Sequence, residues 1–163
     1  MRQCKRVKRL YQAFSYIEVS VVLAIFSIGS FLIVPLSLSQ LASTRVSYFA
    51  ADINSFIFAT QQDSHSQING SSHGLRFNTD SYDVFTGNSY ATAIDSITVE
   101  MNNNVEITDV SLTEISSGSP TTELVFSRGK FKPNAHGTIT LSDGSAVYRV
   151  TINIEGLSYY EKL

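Results

Sequence analysis

Residues 13–38 read AFSYIEVSVVLAIFSIGSFLIVPLSL. One carboxylate, Glu18, stands at the mouth of an apolar run, and no further charge appears until Arg45. As a helix at about 1.5 Å rise per residue, the uncharged residues 19–38 would reach roughly 30 Å, the thickness of a bilayer core. Five of the twelve basic residues (Arg2, Lys5, Arg6, Lys8 and Arg9) precede the run, and all fourteen acids follow Ala13. The asymmetry predicts a single-pass span over about 19–38, with a cytoplasmic N-terminus and an exported C-terminal domain.

Two readings of the run compete. A secretory signal peptide has an apolar region of roughly 7–15 residues and a small-residue cleavage site; here the run is longer, although Ser37-Leu38-Ser39 passes as a weak site. Glu18 fits such a signal poorly. It lies one helical turn after Phe14, so a cut after Ala13 would put a new Phe14 amine and the Glu18 carboxylate near one depth. The amine of one chain would then neutralise the carboxylate of another as helices pack side by side. The alternative is a Glu18 that snorkels to the interface of an ordinary anchor.

Residues 13–25, A-FSYIEVSVVLAI, resemble the processing motif of type IV prepilins and type II secretion pseudopilins: a small residue, Phe, then an apolar stretch with Glu in the fifth place after the cut. The resemblance covers roughly residues 5–45. It implies that a prepilin peptidase cuts between Ala13 and Phe14 and methylates the Phe14 amine, that Glu18 sets subunit register, and that Pro35 kinks the helix. Ala13 departs from the Gly usual in the family. Other major and minor pilins or pseudopilins and an inner-membrane assembly platform are the implied partners.

Past Pro35 the helical pattern continues. Leu38, Leu41, Ala42, Val46, Phe49, Ile53, Phe56 and Ile57 recur at three- and four-residue spacing, which predicts one helix over about 15–61, amphipathic in its second half. Residues 63–72, DSHSQINGSS, are a loop by composition. Then the period drops to two, and strands are expected at 75–78, 82–86, 96–101, 105–108, 110–115, 123–127, 138–141, 146–154 and 157–160. Asp143-Gly144 supplies the positive φ that a tight hairpin needs. The expected fold class is α+β: a long N-terminal helix, transmembrane in its first half, packed on an antiparallel β-sheet or β-sandwich domain. The expected divisions are a basic leader (1–13), the helix (14–62) and a β-rich exported domain (63–163).

Residues 74–85, GLRFNTDSYDVF, and 126–156, FSRGKFKPNAHGTITLSDGSAVYRVTINIEG, are similar to H-type minor pseudopilins and FimT-like minor pilins. This likeness implies a minor subunit of a type IV pilus-like or type II secretion filament. A DNA-uptake or adhesive minor pilin is the first alternative, and a soluble secreted β-domain with an ordinary signal peptide is the second.

The sequence argues against catalysis. Cys4 is the only cysteine, so no disulfide can form within the chain and no thiolate metal site exists. His65, His73 and His136 lack the spacing of a zinc site, and no G-x-S-x-G elbow or phosphate-binding glycine loop is present. No metal, cofactor or catalytic residue is expected. Without residues 1–13 the chain carries seven basic against fourteen acidic side chains, a poor platform for nucleic acid. Arg128, Lys130 and Lys132 alternate, which would place them on one face of an extended segment, with Arg149 on a later strand; these four are the candidate DNA contacts. The tail, residues 156–163, lacks the basic character that the DNA-binding FimT-like proteins carry there.

Overall fold

The computed structural model describes residues 16–101 and 104–163, with the side chains of 29–43 outside the described set. The chain divides into two compact units, Met1–Leu38 and Ser39–Leu163. Helix α1 (Tyr16–His65) contributes to both.

Within the second unit, α1 buries Val46, Ala50, Ile53, Ile57, Thr60 and Ser64. These positions alternate steps of four and three residues, so they form one stripe along the helix. Nine strands follow among the described residues: β1 (His73–Phe77), β2 (Ser81–Thr86), β3 (Asp95–Glu100), β4 (Glu106–Glu114), β5 (Pro120–Thr121), β6 (Glu123–Phe126), β7 (Ala135–Ser142), β8 (Val147–Ile152) and β9 (Ser158–Lys162). They pair antiparallel in two sheets, ordered β3-β2-β1-β6 and β5-β4-β7-β8-β9. One core joins the helical stripe to Leu75, Phe77, Tyr82, Leu124 and Phe126 of the first sheet and to Leu112, Ile139, Leu141, Val150 and Ile152 of the second.

Polar links at the end of α1 complete the joint. Ser64 Oγ donates to the Phe126 carbonyl at 2.9 Å and accepts from the His73 N–H at 3.0 Å. Gln61 Nε2 donates to the Phe131 carbonyl at 2.8 Å, and the Tyr82 hydroxyl donates to Asp52 Oδ2. Gly74 and Gly137 admit close packing. A side chain on Gly74 would meet the Phe85 ring at 2.5 Å, and one on Gly137 (φ +144°) would meet the Ser111 carbonyl oxygen on β4 at 2.0 Å. The β7–β8 turn carries Gly144 at φ +83°, and Asp143 Oδ1 accepts from the Ser145 and Ala146 N–H groups at 3.0 and 2.8 Å.

The expected fold, a long helix with a membrane-spanning first half packed on a sheet, is corrected. The chain is mostly two antiparallel sheets, and no helix among the described residues is long and apolar enough to cross a membrane. The physical reason, among the described residues, lies in the polarity of α1 beyond residue 43. From Thr44 onward polar groups such as Arg45, Asp52 and Asn54 flank the buried stripe. Residues 29–38 of the expected span have side chains outside the described set. The expectation of a single-pass membrane protein, N-terminus cytoplasmic and C-terminal domain exported, is therefore not supported, nor is a transmembrane helix as its defining feature.

Smaller differences are local. The helix extends to His65, four residues beyond the expected end at Gln61. The strands expected at 105–108 and 110–115 are one strand, β4, with an irregularity between Ile107 and Asp109 where its register against β7 shifts.

Candidate functional site

The first unit presents an unusual surface. Tyr16, Ile17, Val19, Val21, Val22, Leu23, Ile25, Phe26 and Ile28 are all exposed, Tyr16 at 87% and Phe26 at 70%. These positions point in every direction around α1, so no polar face remains. The two serines in the segment do not break the pattern. Ser20 Oγ donates to the Tyr16 carbonyl at 2.9 Å and Ser27 Oγ to the Leu23 carbonyl at 2.8 Å, each one turn back on the same helix. Their hydrogen-bonding capacity is thereby partly spent inside the helix. A helix apolar all round is ordinarily a buried one, and an exposed apolar surface of this kind marks an interaction site.

Glu18 lies in the first turn of α1. Ala13 and Phe14, the expected cleavage and methylation positions, lie outside the described residues. Helix α1 runs through Pro35, whose side chain, and with it the expected kink, lies outside the described set.

The four candidate DNA contacts sit in the second unit, and their expected shared face is not formed. Residues 127–130 make a turn: Gly129 has φ +71°, its N–H donates to the Ser64 carbonyl at 2.8 Å, and the Lys130 N–H donates to the Ser127 carbonyl at 2.9 Å. The alternation in sequence therefore does not become alternation in space. Arg128 turns to Gln67, its Nε–H donating to Oε1 at 3.0 Å. Lys132 forms an ion pair with Glu155 at 2.8 Å. Arg149 lies on β8, opposite Glu161 of β9.

The histidines fall in three different settings. His65 stacks on Phe131, with ring centroids 3.7 Å apart. His73 is buried with Nε2 3.1 Å from the Ile68 carbonyl and Nδ1 3.4 Å from Thr86 Oγ1. A carbonyl only accepts, so Nε2 carries the proton and Nδ1 accepts from the hydroxyl. His136 Nδ1 is buried with no hydrogen-bond partner among the described residues. No group of three or more His, Cys, Asp or Glu side chains among the described residues is placed to hold a metal ion.

A cavity of about 620 Å³ in the second unit is lined by Arg45, Glu106, Asp143 and Ser145, among others. Burial works against the Asp143 charge, but the Ser145 and Ala146 N–H groups and the Ser145 hydroxyl hold its carboxyl below the usual range. Those donors belong to the β7–β8 turn, so the carboxylate serves the hairpin. Arg128 lines a second cavity of about 390 Å³. Sequence reasoning singled out Arg128 but not its setting, because Gln67 lies 61 positions away. Comparison of the chain with family models, with curated proteins and with solved structures finds no match in any of the three.

Proposed function

We propose that this chain is a structural subunit of a pilus-like or secretion filament, a minor pilin or pseudopilin, and that it works by assembly and without catalysis. The observation that carries the reading is the exposed apolar helix of residues 16–28 with its serines bonded to their own backbone. Its size favours many neighbours over one. Nine large side chains, between 47% and 87% exposed, would gain on the order of 10 kcal/mol if fully covered. Association costs about 4–15 kcal/mol, so a single partner covering one face leaves little surplus. A bundle that surrounds the helix recovers the whole surface.

In this reading, cleavage after Ala13 by a prepilin peptidase frees the Phe14 amine, which is then methylated. The amine meets the Glu18 carboxylate of a neighbouring subunit. A helix packed out of register would bury that carboxylate without its partner, and the desolvation penalty rejects the wrong register. Other pilins or pseudopilins and an assembly platform are the partners.

Two measurements test the proposal. Mass spectrometry of the mature protein should find a methylated Phe14 at the N-terminus; a product that retains residues 1–13, or one that starts near Gln40, refutes it. Glu18→Ala should be processed normally yet enter filaments poorly, and normal incorporation refutes the register role.

A further inference from the structure

The setting of Arg128 differs from those of Lys132, Arg76 and Arg45. Lys132 is paired with Glu155, the Arg76 guanidinium sits 4.5 Å from the centre of the Tyr90 ring, and Arg45 shares its cavity with Glu106 and Asp143. Arg128 lines a cavity of about 390 Å³ together with Gly70, Ser72, Gly87, Asn88 and Ile94, and none of the described residues lining it is acidic. In a chain with an acidic excess beyond its leader, a guanidinium in an acid-free hollow is a ready anion partner.

The hollow is also pre-arranged. Gln67 holds the Arg128 Nε–H at 3.0 Å, and the Arg128 backbone N–H donates to Ser72 Oγ at 3.2 Å. That hydroxyl in turn donates to Asn88 Oδ1 at 2.7 Å, which leaves the Asn88 amide N–H groups for another acceptor. The two terminal guanidinium nitrogens have no protein acceptor among the described residues. They form a planar fork, which fits two parallel hydrogen bonds to one carboxylate. Gly70 and Gly87 contribute no side chain, so the approach stays open; a Cβ on Gly70 would stand 3.9 Å from the Arg128 Cζ.

The geometry points to a binding site for a single carboxylate on a short apolar stem. The group would be held by the Arg128 fork and the Asn88 amide, with its stem against Ile94, which is 79% exposed at the rim. Phosphate fits less well. The hollow offers one positive charge, and the Gly70, Ser71 and Gly87 backbone N–H groups are already given to the carbonyls of Gln67, Ile68 and Ser72. A nucleic acid strand would need several cations in a row, and the turn at Gly129 separates Arg128 from Lys130 and Lys132. The carboxylate has two possible sources, a free small acid or an acidic side chain of another protein chain. The site does not depend on the filament reading.

The test titrates the full chain in mild detergent with acetate, with inorganic phosphate at matched ionic strength, and with a peptide of residues 153–163 of this sequence, which carries Glu155 and Glu161. Side-chain and backbone NMR signals of Arg128, Asn88, Gly70 and Gly87 report occupancy. Saturable shifts with acetate, with a Kd on the order of 100 mM for so open a site, are expected. Arg128→Gln should abolish them, and Arg128→Lys should weaken binding about tenfold by losing the fork. Shifts that the peptide produces at lower concentration assign the source to a protein side chain; shifts with acetate alone assign it to a small acid. The proposal falls if acetate leaves these signals unmoved, if Arg128→Gln binds as well as wild type, or if phosphate binds more tightly than either carboxylate.

Discussion

Replacing Tyr82 with Phe removes one oxygen from the joint between α1 and β2, and its consequences can be worked out in two pH regimes. Tyr82 is fully buried, its ring lies edge-on to Phe56 with centroids 5.6 Å apart, and its hydroxyl donates to Asp52 Oδ2. A hydrogen bond to a charged acceptor contributes about 1.5–3 kcal/mol. Phe fills nearly the same volume, so the expected loss near neutral pH is about 2 kcal/mol, without a large cavity term. With a urea m-value of about 1.5 kcal/mol/M, the unfolding midpoint should fall by roughly 1.3 M.

The alkaline regime gives an independent check. Burial first, and then the hydrogen bond and charge of Asp52, raise the Tyr82 pKa well above its ordinary value of 10.0. In the unfolded chain the phenol gives up its proton near pH 10, whereas in the folded chain it keeps it. Below pH 10 this difference costs nothing. Above pH 10 the unfolded state gains by losing a proton, and stability falls by up to about 1.4 kcal/mol per pH unit. Phe at this position cannot titrate, so the variant starts lower and declines less steeply. The two stability curves should converge about one and a half units above pH 10. Urea unfolding of the full chain in mild detergent, followed by circular dichroism between neutral and strongly alkaline pH, measures both effects. Parallel curves, or a variant as stable as wild type at neutral pH, refute the account of this joint.

Gly137→Ala should be far more damaging than an ordinary surface change. Its Cβ would stand 2.0 Å from the Ser111 carbonyl oxygen at a φ of +144°, so β4 and β7 must part, and a loss of about 3 kcal/mol or more is expected in thermal or urea unfolding. Replacing both Leu23 and Phe26 with Gln should reduce self-association of the full chain in light scattering while leaving the unfolding midpoint of the β-domain unchanged. An equal loss of both would argue for a packing role within the protomer. Lys130→Gln combined with Lys132→Gln should change stability by less than about 0.5 kcal/mol, because the Lys132–Glu155 pair is exposed. DNA retardation should also be unchanged, and a clear loss would restore nucleic acid as a ligand of this turn.

What could be read directly from the chain was local. The apolar run of residues 16–28 is contiguous, so its lack of a polar face is visible residue by residue, and Glu18 stands out because nothing around it is charged. The helical stripe from Val46 to Ile57 and the period of two after Gly74 follow from backbone geometry alone, since side chains repeat every 3.6 residues in a helix and every two in a strand. Asp143-Gly144 announced a hairpin for the same local reason: the turn needs a positive φ, which Gly144 supplies.

Tertiary structure decided everything that depended on distant partners. Strand order placed β1 between β2 and β6 and β4 between β5 and β7, and no run of neighbouring residues encodes that choice. In β2 both faces are largely buried because Phe85 packs over Gly74 and against Tyr90, which blurs the alternation that would have marked an inner and an outer face. The turn at Gly129 broke the apparent basic face of Arg128, Lys130 and Lys132 and carried Arg128 to Gln67. Periodicity and turn chemistry are properties of a few consecutive residues, so sequence alone determines them. Which surfaces meet is settled by burying all the stripes at once, a condition on the whole chain that no single stretch contains.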